Sequence, residues 1–402
     1  MPWAVRTLLF ITAIAFPIYL YVALRIAGSV GFLKPASKRR ARRIALLVVG
    51  LLYALPVTFL LMHLLGHSRS VSTLVQQGTW IDVVYTYPVW ISLVVALELL
   101  APILLMDLIA LGARLAAPAK RRLRERLAYA RIVLAAALIL YVPVRAFIDT
   151  AIVKDSREEI VVSGLPPALD GLRITVVGDT QADRFTGVGK LGQMQDIVRA
   201  NAPELLISTG DIVTDGMEYL DEARRAMCGI SGSVASIAVM GDHDHWSAPA
   251  AIRTYLVACG WRFLDNRHQV ISHQGASILL TGVTHIYSRR MKPDELDRFL
   301  ETAPAADVKI LIAHQPAESL IERAAAMGYH LVLAGHTHGG QIVFHGLGIP
   351  LTPSMRETEY YTGVHSLGST SIVVTNGVGL TLAPIRYHAR AEVTTVVLRR
   401  GN

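Results

Sequence analysis

Acidic side chains are scarce in the first 150 residues of this 402-residue chain: 5 Asp and Glu stand there against 17 Lys and Arg, while the remainder carries 26 acidic and 22 basic residues. The formal net charge of +8 therefore belongs to the first part, and it does not argue for nucleic acid as a partner. Cysteine is scarcer still, with Cys228 and Cys259 alone. They lack metal-ligand spacing, and two cysteines cannot define a disulfide framework. The reading taken is two unpaired buried thiols; a single disulfide is the alternative if that part of the chain lies outside the cytoplasm.

What the first 150 residues do contain is apolar sequence, which raises the mean hydropathy of the whole chain to +0.42. Four apolar segments, at about 5–33, 44–65, 81–111 and 127–148, are long enough to cross roughly 30 Å of hydrocarbon at 1.5 Å per residue. The first is a poor signal peptide, because its charged start is Arg6 alone and its apolar run is too long. Lys34, Lys38, Arg39, Arg40, Arg42 and Arg43 follow it, and Arg114, Lys120, Arg121, Arg122, Arg124 and Arg126 separate the third and fourth segments. The stretch 66–80 between them has Arg69 as its sole basic residue. Basic loops stay on the cytoplasmic side, so an even number of spans places residues 151–402 outside the cytoplasm. Trp80, Tyr85, Tyr87 and Trp90 suit an interfacial aromatic belt. Glu98 and Asp107 are carboxylates inside the third segment; Asp107 is expected to pair with Arg114, and Glu98 to contact lipid or ion or to make an interhelical hydrogen bond. Two domains follow: a transmembrane region over 1–150 and a globular domain over 151–402.

The second part alternates β-branched runs with helical spacing. Strands are expected near 172–177, 205–208, 234–239, 278–280, 308–312, 331–333, 372–374 and 393–398, and helices near 191–200, 219–228 and 248–258. That pattern predicts an α/β sandwich, with helices covering two packed sheets.

Five of the strands end in polar turns. They are Gly178-Asp179-Thr180-Gln181, Thr209-Gly210-Asp211, Gly241-Asp242-His243-Asp244-His245, Ala313-His314-Gln315-Pro316 and Gly335-His336-Thr337-His338-Gly339-Gly340-Gln341. Carboxylates and imidazoles at the carboxyl ends of neighbouring strands, in the ligand-binding position of open α/β sheets, form a metal centre. With no thiolate nearby, the donor set points to Mn²⁺, Fe or Zn²⁺. Two cations about 3.5–4 Å apart, bridged by one carboxylate, are suited to an in-line displacement at phosphorus. Asp211, on the central strand, suits the bridge.

These turns resemble the calcineurin-like metallophosphoesterases, whose pattern is D-x-H, G-D, G-N-H-[DE], a later His and G-H-x-H; the resemblance covers about 165–400. The GHTHGGQ form, with Thr-Asn-Gly-Val-Gly-Leu and Pro384-Ile385-Arg386-Tyr387 after it, is most similar to a bacterial membrane-associated branch. The resemblance implies that Asp179 and His338 hold a first metal with Gln181 beside them, that Asp211 bridges, and that Asp242, His314 and His336 hold a second. It implies that a metal-bridging hydroxide attacks phosphorus while His243 acts as general acid. Asp244 either orients His243 or serves as a helix cap. Arg386 and His245 are candidates for substrate contact, Tyr361 and His285 are further candidates, and Gln341 is expected to brace the GHTHGGQ loop.

Two positions depart from the pattern. Gln181 stands where the family has a ligating His, and Asp242 where it has Asn. Both favour a harder ion such as Mn²⁺ or Mg²⁺. The expected protein is a metal-dependent phosphoric ester hydrolase of a bacterial cell membrane, multi-pass, acting outside the cytoplasm on a lipid or other phosphorylated cell-envelope substrate. A non-catalytic metal- or phosphate-binding sensor or scaffold is the alternative from another class. A UDP-2,3-diacylglucosamine pyrophosphatase of lipid A synthesis is the alternative if the domain is cytoplasmic.

Overall fold

The computed structural model describes residues 3–66, 79–116, 121–346 and 348–401. Residues 67–78 of the expected outer loop, Arg69 among them, and Lys120 of the second basic loop lie outside the described residues. The chain divides into Met1–Ala146 and Phe147–Asn402, close to the division its composition suggests.

The first unit is helical: α1 (Trp3–Leu33), α2 (Lys38–Leu64), α3 (Tyr87–Ala116, entered through a π-turn at Asp82–Thr86) and α4 (Arg121–Ala151), whose last residues belong to the second unit. Among the described residues three helical stretches are long and apolar enough to cross a membrane, and α2 makes a fourth only if its two parts, bent by 43° before Pro56, count as one span. Pro56 lacks the amide hydrogen that an unbroken helix needs there, which accounts for the bend. Large apolar side chains such as Phe10, Leu47, Leu105 and Leu140 point outward. The side chain of Arg114, the expected partner of Asp107, lies outside what is described; Asp107 is engaged by Tyr21, Arg25 and Arg131, with 2.6 Å to the Arg131 Nη2. Arg131 and Tyr21 sit on neighbouring helices at the depth of Asp107, so the carboxylate is held between helices.

The second unit contains β1 (Lys154–Val162), β2 (Arg173–Val177), α5 (Val188–Asn201), β3 (Leu205–Ser208), α6 (Leu220–Cys228), β4 (Ala235–Ala238), α7 (Asp242–Ser247), α8 (Pro249–Ala258) and β5 (Trp261–Phe263). It continues through β6 (Arg267–His273), β7 (Ala276–Val283), β8 (His285–Ile286), β9 (Arg289–Arg290), α9 (Pro293–Glu301), β10 (Val308–Ala313), α10 (Glu318–Ala326) and β11 (Leu331–Ala334). The hairpin β12 (Phe344–Gly346) and β13 (Ile349–Leu351), then β14 (Gly363–Leu367), β15 (Thr370–Val374) and β16 (Glu392–Arg400), complete it.

Two six-stranded sheets form, in the orders β1-β16-β2-β3-β4-β5 and β14-β15-β11-β10-β7-β6. Strands β2 to β5 run parallel, as do β7, β10, β11 and β15. Side chains alternate across each strand, so Ile174, Val176, Leu205, Ile207 and Ile237 of one sheet meet Ile278, Leu280, Ile310, Ile312 and Leu333 of the other in a shared core. The opposite faces are covered: Val177, Leu206 and Ala238 by Met194, Val198 and Met227, and Leu279, Leu311 and Val332 by Leu296, Leu300 and Leu320. The result is the expected helix–sheet–sheet–helix sandwich. Burial on both faces explains why the parallel strands are continuous apolar runs.

One expectation is overturned. Cys228 and Cys259 form a disulfide with Cα atoms 5.5 Å apart, and Cys259 is exposed. They close a loop of 31 residues linking the ends of α6 and α8. Loop closure of that size stabilises the fold by about 2–4 kcal/mol. The intact protein is therefore expected to resist thiol alkylation until reduced, and Cys228→Ser with Cys259→Ser to lower stability by about that amount. Alkylation of both cysteines before reduction would refute the bond.

Candidate metal centre

The carboxyl ends of β2, β3, β4, β10 and β11 bring Asp179, Asp211, Asp242, His314, His336 and His338 together, from both sheets. The turns that carry them depart from ordinary backbone geometry. Asp179, Gln181, Asp211, His336 and His338 all have left-handed φ, between 37° and 72°. Such conformations cost about 1–3 kcal/mol each and persist where surrounding structure dictates them. Small residues permit the close approach: a Cβ on Gly241 would lie 2.0 Å from Asp211 Oδ1, and one on Gly335 2.4 Å from Asp179 Oδ2.

The donor atoms converge. His314 Nε2 lies 3.3 Å from Asp211 Oδ2 and 3.6 Å from Asp242 Oδ2. His336 Nδ1 lies 3.4 Å from Asp242 Oδ2 and 3.1 Å from His314 Nε2. On the other side, His338 Nε2 is 3.7 Å from Asp179 Oδ1, and Gln181 Nε2 is 3.4 Å from Asp211 Oδ2. Asp211 Oδ2 thus stands between the Asp179–Gln181–His338 group and the Asp242–His314–His336 group. Donor atoms of Asp211, His314 and His336 lie within 4.8 Å of one another, the spacing of ligands around one cation.

Three observations fit a metal to these residues. Gln181 Oε1 is buried and has no hydrogen-bond partner, an orphaned acceptor of the kind a cation satisfies. His314 donates from Nδ1 to the Thr209 carbonyl at 2.8 Å, which turns Nε2, the nitrogen that would ligate once deprotonated, toward Asp211 and Asp242. The charge balance also calls for a cation. Burial lowers His314, but Asp211, Asp179 and Asp242 more than reverse this and lift its pKa to about 10. Burial raises Asp211, and His314 beside it brings the carboxyl below its usual range. Burial, with Asp211 close by, raises Asp179 to about 6. His338 is held neutral by burial and by the Arg386 guanidinium, and neutral imidazole is the ligating form.

His243 lies on the first turn of α7. Its backbone N–H donates to Asp211 Oδ1 at 2.9 Å and its Nδ1 donates to the Thr214 carbonyl at 2.5 Å, leaving Nε2 for a further partner. His245 is half-buried, with no partner at Nε2, and burial lowers its pKa, helped by Arg289.

Asp244 takes the helix-cap alternative, and among the described residues no hydrogen bond joins it to the His243 imidazole. It is buried and accepts backbone N–H groups from Asp211 at 2.9 Å, Ile212 at 2.7 Å and Gly241 at 3.1 Å, so it fixes the loop that carries Asp211. Arg386, read as a substrate contact, is fully buried. Its guanidinium donates to the carbonyls of His338, Ala389, Asn376, Gly377 and Gly379. Gln341 ties the same region down by donating to Thr381, Ala383 and Ile385. His285 is buried, its pKa lowered to about 4 by burial and by Arg290. Tyr361 accepts a bond from Thr337 at its carbonyl.

Sequence reasoning missed an outer layer. Asp242 accepts from Gln315 Nε2 at 2.9 Å and from the Tyr287 amide at 2.8 Å. His336 Nε2 lies 3.1 Å from Glu357 Oε1 and 3.2 Å from the Tyr287 hydroxyl, which donates to Glu357 at 2.5 Å. Gln315 was within reach of a sequence reading, since it adjoins His314. Glu357 carries no local pattern that marks it.

Comparison with known proteins agrees with this geometry. Residues 172–340 match the family model for calcineurin-like phosphoesterases. An uncharacterized Bacillus subtilis metallophosphoesterase, YkuE, is 24% identical over 64% of this chain and 89% of its own length. The Danio rerio transmembrane protein with metallophosphoesterase domain is 26% identical over 60% of this chain; the match spans only 56% of that longer protein. The Escherichia coli phosphodiesterase YaeI is 25% identical over 56% of this chain and 82% of its own.

Two outcomes are expected. Free Mn²⁺ at one hundred times its Kd raises the stability of the full chain by about 2.7 kcal/mol, and Asp211→Ala removes that gain; an equal gain in the variant in thermal melts would place the ion elsewhere. Arg386→Ala lowers stability by roughly 3 kcal/mol or more, because buried carbonyls lose their donor. A stable Arg386→Ala with a raised KM would instead restore a substrate role.

Proposed function

The chain carries a calcineurin-like metallophosphoesterase domain, and from that premise we propose that it is a membrane-anchored hydrolase of phosphomonoesters or phosphodiesters, dependent on two divalent cations, with His243 as its general acid. The enzyme class, a metal-dependent phosphoric ester hydrolase, follows from the family. The observation that carries the finer reading is the position of Asp211 Oδ2 between two groups of donors. Asp179, Gln181 and His338 would hold one ion, Asp242, His314 and His336 the other, and Asp211 both. Two such ions supply Lewis acidity and neutralise charge at phosphorus.

The chain's own residues do the rest. His243 is oriented by the Thr214 carbonyl. As the ester P–O bond breaks, its Nε2 gives a proton to the departing oxygen and the ring is left neutral, a task worth about 10²–10⁴ in rate. The Nδ1–H to carbonyl bond leaves Nε2 as the nitrogen that faces the departing group. Glu357 accepts from His336 Nε2, which directs Nδ1 inward, and Thr209 does the same for His314 with the nitrogens exchanged.

The substrate reading rests on the apolar helices, which tie the protein to a bilayer and so to lipid or other cell-envelope phosphates. The side of the membrane is read from two features. The basic loops favour a cytoplasmic face for the turns that carry them, and the Cys228–Cys259 disulfide belongs to an oxidising compartment. Both support a domain outside the cytoplasm of a bacterial cell membrane, and both weigh against the lipid A pyrophosphatase alternative. The sensor alternative rests on Gln181 and Asp242 alone.

The test is Mn²⁺-dependent hydrolysis of p-nitrophenyl phosphate and bis-p-nitrophenyl phosphate by the full chain in detergent. His243→Ala is expected to lose about 10²–10⁴ in kcat with metal content unchanged. Metal binding without turnover of either aryl ester or of lipid phosphates would favour the sensor. Gln181→His is expected to tighten metal binding, since imidazole is the stronger donor; weaker binding would show that Gln181 is not a ligand.

A further inference from the structure

Beside the centre lies a cavity of about 670 Å³ whose walls include Tyr287, Arg290, Gln315, Glu318, Arg356 and Glu357. It shares its inner wall with the metal-binding residues. Gln315 and the Tyr287 amide bind the two oxygens of Asp242, and Tyr287 and Glu357 bind His336. The cavity therefore opens beside the place where a substrate would meet the centre. The cavity contains two guanidinium groups, and among the described residues neither is ion-paired with a carboxylate. There Arg290 hydrogen-bonds only to neutral oxygens, the Ile286 carbonyl at 3.1 Å and Gln315 Oε1 at 3.0 Å, and both bonds fix its plane. Arg356 is exposed and makes no hydrogen bond or ion pair among the described residues.

Two carboxylates also line the walls, but among the described residues neither lies within ion-pair distance of Arg290 or Arg356. Glu357 is engaged by Tyr287 and His336, and Glu318 accepts the Glu359 amide at 3.3 Å. A guanidinium presents its donors as a planar fork matched to phosphate or carboxylate oxygens, and unpaired forks facing one cavity are an anion site. Arg290 is also tied through Gln315 to the metal ligand Asp242, which couples the position of the cation to the reacting centre.

We propose that this cavity binds a second anionic group of the substrate, a phosphate or carboxylate separate from the ester phosphate. The inference rests on the hydrolase reading, and it narrows the substrate to esters carrying two anionic groups. Arg356 and Arg290 are the specificity-determining residues, and Gln315 positions Arg290.

The test uses ligands that cannot be hydrolysed: propylphosphonate, the same chain ended by a carboxylate, and the same chain ended by a second phosphonate. Calorimetry on the Mn²⁺-loaded full chain in detergent gives their affinities. At least one of the doubly anionic ligands is expected to bind roughly tenfold or more tighter than propylphosphonate, about the worth of one charge-assisted hydrogen bond. The tighter of the two identifies the second group. Arg356→Ala and Arg290→Ala are each expected to remove most of that gap; Arg356 is exposed, so its variant reads the site without a folding penalty. A gap below about threefold in the unaltered protein, or one that survives both substitutions together, overturns the proposal. Absence of aryl ester turnover beside a preserved gap would count against hydrolysis and leave the anion site standing.

Discussion

Three carboxylates, Asp179, Asp211 and Asp242, are buried side by side at the meeting point of two sheets, each no more than 2% exposed. Like charges that close in a dry site repel strongly, and a fold tolerates them only when positive charge is supplied locally. The rest of the domain serves that requirement. His314 is the positive group already in place, and its pKa near 10 reflects how strongly the carboxylates draw positive charge to that position. Divalent cations answer the same demand with more charge, and the buried Gln181 Oε1 has no other partner.

Holding the carboxylates there takes a layer of buried residues behind them, which bond to backbone. Asp244 gathers the amides of Asp211, Ile212 and Gly241, and Arg386 gathers five carbonyls around the turn that carries His338. One is an anion ordered by N–H groups and the other a cation ordered by C=O groups. Together they fix backbone that is left-handed at Asp179, Asp211, His336 and His338. The strain sits where the chemistry is, and the compensating bonds sit one layer behind it.

Much of this was legible in the sequence because parallel strands buried on both faces are short, continuous and apolar, so their ends are sharp. Asp211 and His336 were readable as site residues because each follows such a run immediately. Strand β1 was not, since its burial alternates and it carries Lys154, Asp155, Arg157, Glu158 and Glu159 at an edge of the sheet. Asp244 was visible with its cap role left open, and Arg386 was visible but read as facing substrate. A charged side chain beside a catalytic motif looks the same whether it faces substrate or backbone, and only three-dimensional burial separates the two. The pairing of Cys228 with Cys259 depends on how α6 and α8 pack, which no local pattern reports.

The central claim is that Asp211 joins two metal positions into one centre. Electron paramagnetic resonance of the full chain loaded with Mn²⁺ tests it most directly, because two ions sharing a bridging carboxylate are magnetically coupled. The account predicts the spectrum of a coupled pair, replaced by that of isolated ions when Asp211 is changed to Ala. A spectrum of isolated Mn²⁺ alone in the unaltered protein at saturating metal would contradict it.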